Sequence, residues 1–122
     1  MNRPIQVTPA TFHGWQLDTI IDELLASDPA SREGKSARTL VKAPALTVVL
    51  TVLRAGQQLH EHRAPGAVMV VPLRGEVVFR HGDSTTVVGV GSQGVLAMGP
   101  GQTHAVEAQT DSAFLLVIGP RS

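Results

Sequence analysis

The hydrophobic pattern changes period once along the chain. From Leu17 to Ala26 the apolar residues Leu17, Ile20, Ile21, Leu24 and Leu25 recur every three or four positions, with Asp18, Asp22 and Glu23 between them. That spacing predicts one amphipathic helix with a single buried stripe. Asp18 stands near its N-terminus, where the helix dipole favours a negative charge. Asp28-Pro29 is expected to stop the helix, because the residue before a proline is pushed out of the α region. Residues 31–36, SREGKS, then read as a polar loop.

Beyond residue 36 the period becomes two. Residues 37–43 and 45–54 are rich in β-branched side chains and alternate as strands do, with Pro44 between them. A strand carrying His60-Glu61-His62 follows, then an apolar strand over 68–73, where Pro72 removes a ladder donor and predicts an edge or a bulge. Gly75 turns the chain into EVVFRH (76–81), in which Val77, Phe79 and His81 share one face. His81-Gly82-Asp83-Ser84 reads as a hairpin turn. Further strands are expected over 85–90, 95–98, 104–108 and 112–118, the last ended by Gly119-Pro120. Short strands with turns every eight to ten residues predict an all-β barrel or sandwich with one short N-terminal helix. No segment repeats and no linker divides the chain. The expected organisation is an arm and helix over 1–36, packing on a barrel domain over 37–122.

Composition narrows the function classes. The 122 residues suffice for one domain with a buried core and no covalent staple. There is no cysteine, which excludes disulfide frameworks, zinc ribbons and thiolate catalysis. Lys plus Arg and Asp plus Glu are ten each, so nothing forms a basic footprint for nucleic acid or an anchor for a membrane surface. The opening MNRPIQVTPATFHGW has no uninterrupted apolar core, and no apolar run reaches the ~20 residues that span a bilayer. A cytoplasmic location is the expectation. Phe12 and Trp15 are expected to anchor the N-terminal arm by burial.

The candidate chemistry lies in the histidines. Alternate residues of a regular strand share a face, so His60 and His62 are expected to point the same way, with Cα atoms roughly 6.6 Å apart. Two imidazoles so placed reach one metal ion if a third donor comes from elsewhere. The turn Gly99-Pro100-Gly101-Gln102-Thr103 delivers His104 at the start of a later strand. Closing the strands into a small barrel would bring His60, His62 and His104 together inside it. Three neutral imidazoles and a water make a competent site for a divalent metal. Gln58 shares the face of His60 and is the expected polar contact in the cavity, with Val68, Val70, Val77 and Phe79 as its apolar lining. His13 and His81 are assigned to solvated or turn positions.

Three segments in order, Gly56-Gln57-Gln58-Leu59-His60-Glu61-His62, Leu73-Arg74-Gly75-Glu76 and Gly99-Pro100-Gly101-Gln102-Thr103-His104, resemble the two motifs of the small single-domain cupins. The resemblance covers about Leu50 to Ile118. It implies a jelly-roll β-barrel, usually a homodimer, holding iron, manganese, zinc, nickel or copper and binding a small molecule. It also implies His60, His62 and His104 as the three histidine ligands. The glutamate of the first motif has no counterpart: Ala67 or Val68 occupies its place. Gly56 stands only four residues before His60, Gly94 is one out of register for the second motif, and Ala108 replaces the polar residue four after its histidine. A cupin subfamily with three histidines oxidises thiols and is marked by a tyrosine near the metal, but this chain has no tyrosine.

Two functions follow as expectations. One is a metal-dependent enzyme acting on a small organic molecule as a dioxygenase, isomerase or lyase. The other is a non-catalytic ligand-binding or sensing barrel with an apolar pocket and weak or no metal. A purely structural role ranks behind both.

Overall fold

The computed structural model describes residues 3–121. Two helices, α1 (Leu17–Leu25) and α2 (Asp28–Glu33), precede nine strands. These are β1 (Lys35–Lys42), β2 (Thr47–Leu53), β3 (Gln58–Arg63), β4 (Gly66–Arg74), β5 (Glu76–His81), β6 (Ser84–Gly89), β7 (Leu96–Met98), β8 (Thr103–Ala108) and β9 (Ser112–Arg121). All ladders between named strands are antiparallel, in a five-stranded sheet of order β1-β2-β9-β4-β7 and a four-stranded sheet of order β3-β8-β5-β6. The two sheets face each other as a jelly roll, the all-β architecture expected from the alternating pattern.

Alternation sorts the side chains into two cores. Leu53, Val68, Val70, Val77, Phe79, Val88, Val106 and Phe114 fill the space between the sheets. Leu50, Val52 and Ala113 face the other way and meet Ile21 and Leu24 of α1. A nine-residue helix is marginal alone in water. Two buried side chains, each contributing about 1.5–3 kcal/mol, fix α1 to the sheet. Arg74, at the end of β4, adds ion pairs to Asp22 at 2.8 Å and Asp18 at 3.3 Å.

Several local expectations are corrected. α1 already ends at Leu25, capped by Ala26, and Asp28-Pro29 opens a second helix, with Asp28 itself helical, where a stop and a loop were expected. Pro29 occupies the first turn of α2, where its missing N–H costs nothing, and Gly34 closes that helix in the left-handed conformation at φ 77°. Trp15 packs against the second core, whereas Phe12 is wholly exposed and anchors nothing. Ile5 ties the arm down instead, bridging β1 through bonds to Leu40 and Lys42. Gly119-Pro120 does not end β9, whose pairing continues to Arg121 opposite Gly66. Pro72 behaves as expected: the β4–β9 register shifts beside it, and β7 covers β4 only from Val68 to Val70. Among the described residues no helix is long and apolar enough to cross a membrane.

The core assignments are testable by urea denaturation. Leu50→Ala, at a fully buried position, is expected to cost about 2–5 kcal/mol of stability. Phe12→Ser should change it by no more than about 0.5 kcal/mol.

Candidate metal centre

The four-stranded sheet has a bulge where the histidines lie. Leu59 pairs with Val106 and His62 with His104, so His60 and Glu61 together oppose the single residue Ala105. A strand's faces alternate every residue, and one inserted residue reverses the alternation beyond it. Leu59 and His62, three apart, therefore both stand on the inward face with Val106 and His104. His60 is left in the bulge on the outer side, and its carbonyl accepts a 2.8 Å hydrogen bond from His62 Nδ1–H. The expectation that His60 and His62 share a face fails for this reason.

The same register extends across the sheet. Phe79 pairs with Val106 and Arg80 with Ala105, the last pair of that ladder, and His81, one residue on, donates from Nδ1 to the Thr103 carbonyl at 2.6 Å. His81 pairs in turn with Ser84. One inward row thus runs His62, His104, His81, Ser84 over β3, β8, β5 and β6. The row beneath it is Leu59, Val106, Phe79 and Thr86. The rings of His62 and His104 meet edge to face with centroids 4.0 Å apart, and Phe79 stacks against His104 at 6.0 Å. A cavity of about 370 Å³ opens on the other side of His104. Phe79, Leu96 and Met98 form its apolar wall, and His81, Ser84, Thr86 and Gln102 its polar one.

His104 is 6% exposed, while His62 and His81 are open to solvent. Burial pushes the His104 pKa below the ordinary imidazole value, and the neighbouring His62 and His81 push it the same way, against a weak bond from its Nδ1 to the Gln102 carbonyl. A buried imidazole that stays neutral is ready to act as a ligand.

Among the described residues no three His, Asp or Glu side chains converge on a metal-sized position. The donor chemistry of His62 and His104 suits a divalent ion, but a third donor is not in place. The inward position in β4 where a motif carboxylate would stand is occupied by buried Val68, between Met98 and Ile118. Of the expected lining residues, Phe79 borders the cavity. Val68, Val70 and Val77 are packed in the core behind it. Gln58 points outward and donates to Glu107 at 3.4 Å, on the face where Arg80 also meets Glu107 at 3.1 Å. Arg54 and Arg74 hold loop and helix carboxylates rather than the barrel mouth. His81 is exposed beside the β5–β6 turn, as expected of a solvated or turn residue, and also borders the cavity. Its shared face with Val77 and Phe79 was the available signal.

No protein-family model and no curated protein matches the sequence. Solved structures do match. An RmlC-like cupin protein from Desulfovibrio desulfuricans is 28% identical with a TM-score of 0.63, over 80% of this chain and 92% of that one. A cupin superfamily protein from Desulfitobacterium hafniense is 18% identical with a TM-score of 0.63, over 70% of this chain and 77% of that one. A mutant salicylate 1,2-dioxygenase from Pseudoaminobacter salicylatoxidans is 16% identical with a TM-score of 0.71. That match takes in 88% of this chain but only 34% of the enzyme, and at that identity it speaks to the fold alone. With its sheets ordered and paired as described, and overlaid on such proteins along most of their length, the chain is a small cupin-type domain.

Proposed function

We propose that the barrel holds a divalent metal ion on His62 and His104 and binds a small organic molecule in the adjoining cavity. The observation that carries this reading is the His62–His104 pair itself. Both rings face inward at 4.0 Å, and both commit Nδ1–H to a main-chain carbonyl, leaving Nε2 as a free acceptor. His60 completes the set expected from the motif, but it reaches the pair only if the bulge rearranges. A bound ion supplies Lewis acidity toward an oxygen of the ligand. The chain's own residues do the rest. Phe79, Leu96 and Met98 exclude water from one wall, and Ser84, Thr86 and Gln102 offer hydrogen bonds that orient a polar group. Neutral imidazole donors leave the ion's charge uncompensated, which favours an anionic ligand among iron, manganese, zinc, nickel or copper complexes.

A second reading has its own support. With no third donor in place and Val68 where a carboxylate would stand, the barrel also suits a ligand-binding or sensing role with weak or no metal. In that case a ligand raises the melting temperature and is recovered unchanged.

Metal content by elemental analysis separates the two readings. The wild-type chain is expected to retain a divalent ion after gel filtration, and the His62→Ala, His104→Ala double variant to lose more than about tenfold in affinity. A wild-type chain that emerges metal-free after loading removes the first reading.

The acid sensitivity of the metal-free protein has a definite sign. The folded His104 pKa lies below its unfolded value of about 6.5, so the unfolded chain takes up the proton first. Stability is therefore full above that value and declines as the pH falls through it toward the folded pKa. Melting curves in chelator should shift downward between about pH 7.5 and about pH 5.5, and His104→Gln should flatten that dependence.

We take the domain to be a homodimer, with exposed Phe12 and Val7 of the arm supplying apolar area for the contact. Light scattering should then give twice the 12.9 kDa chain mass, and Phe12→Asp should shift it toward the monomer.

A further inference from the structure

We infer that the cleft beside Lys42, Thr47 and Arg121 is a second ligand site, which takes a small organic anion with a carboxylate or phosphate head and an apolar body. It shares no lining residue with the His104 cavity and is independent of the metal reading. The first support is the register. Lys42 pairs with Thr47 and Thr47 with Ile118, so the three side chains share one face of β1, β2 and β9. Ile118 packs against the core between the sheets, which makes that face the inner one. An ammonium and a hydroxyl thus stand on adjacent strands next to an apolar floor. Arg121 borders the same cleft from the end of β9.

The second support is charge. The chain is neutral as a whole, but its charges are segregated. The strands of the five-stranded sheet contain Lys35, Arg38, Lys42, Arg74 and Arg121, and no Asp or Glu. Arg38 and Arg74 are paired with carboxylates of α1. Among the described residues Lys42 and Arg121 have no carboxylate partner, and no Asp or Glu lines the cleft. Cations of one sign along an apolar-walled cleft focus their field into it and attract an anion more strongly than on an open surface. Arg121 offers a fork that matches two oxygens of a carboxylate or phosphate, and Lys42 a point charge.

The third support is shape. The cleft holds about 530 Å³, within the range of roughly 300–1,000 Å³ typical of small-molecule sites. Pro44, Pro65 and Pro120 line it together with Ile118. Their rings fix φ and carry no N–H, so this wall is stiff and apolar and suits the body of the ligand. Thr47 and Gln6 also border the cleft and add neutral donors for its head.

Amide NMR titrations of the full chain in chelator test the site. The probes are phenyl phosphate and benzoate, two anions on one ring, and benzyl alcohol, the same ring without charge. At least one anion is expected to bind saturably, to shift the amides of Lys42, Thr47, Ile118 and Gly119, and to weaken as salt is raised. The tighter of the two identifies the head. Lys42→Ala and Arg121→Ala, each shown to be folded by thermal melts, should weaken that binding about tenfold, and Lys42→Arg should retain it. Binding of benzyl alcohol as tight as that of the anions overturns the site, as does unchanged affinity in either alanine variant. Shifts by neither anion, or shifts confined to His81, Ser84 and Thr86 of the other cavity, overturn it as well.

Discussion

The site depends on the pairing of β3 with β8, and above all on the single extra residue that β3 carries there. In an unbroken ladder Leu59 and His62 would lie on opposite faces. Leu59 would then be buried and His62 wet, or the reverse. The bulge at His60-Glu61 resolves that conflict by letting both face inward, opposite Val106 and His104. The apolar row keeps its Leu and the polar row gains its His, at the expense of leaving His60 outside.

Above that constraint the barrel interior is graded. Ala108, Val77 and Val88 lie in one row, Leu59, Val106, Phe79 and Thr86 in the next, and His62, His104, His81 and Ser84 in the last. Polarity rises row by row toward one mouth of the barrel. His104 sits at the boundary, stacked on Phe79 and buried, so the apolar rows below it set its preference for the neutral form. The imidazoles beside it are solvated. The same sheet keeps its charges on the outer face, where Glu107 meets Gln58 and Arg80.

The helical layer shows a similar division of labour. Arg54 and Arg74 are both held at the helical layer, away from the cavity. Arg74 clamps α1 through Asp18 and Asp22, and Arg54 meets Asp111 and the Leu25 carbonyl. The cavity is bordered instead by imidazole, hydroxyl and amide side chains on strands and one turn, with Arg80 beside them.

Strand positions, the turn at Gly75, the stripe of α1 and the disturbance at Pro72 were all legible in the sequence. Each follows from local chemistry: alternation, left-handed glycine, helical period, a missing N–H. The absent carboxylate was equally legible, since Ala67 and Val68 carry no donor whatever the fold does with them. The second helix was missed because Pro29 sits in the first turn of a helix, and a local rule treats proline only as a stop. The faces of the histidines were not local at all. Alternation alone put His60 with His62 and Gln58 in the cavity, while the register with β8 put His62 inside and His60 and Gln58 out. His81 shared its face with Val77 and Phe79 in the sequence, yet its neighbour His104 lies 23 positions away and is set by strand order. The sequence by itself thus determined which segments become strands and which donors the chain owns. The tertiary structure decided which donors meet, because a face and a row belong to paired strands and not to any one of them.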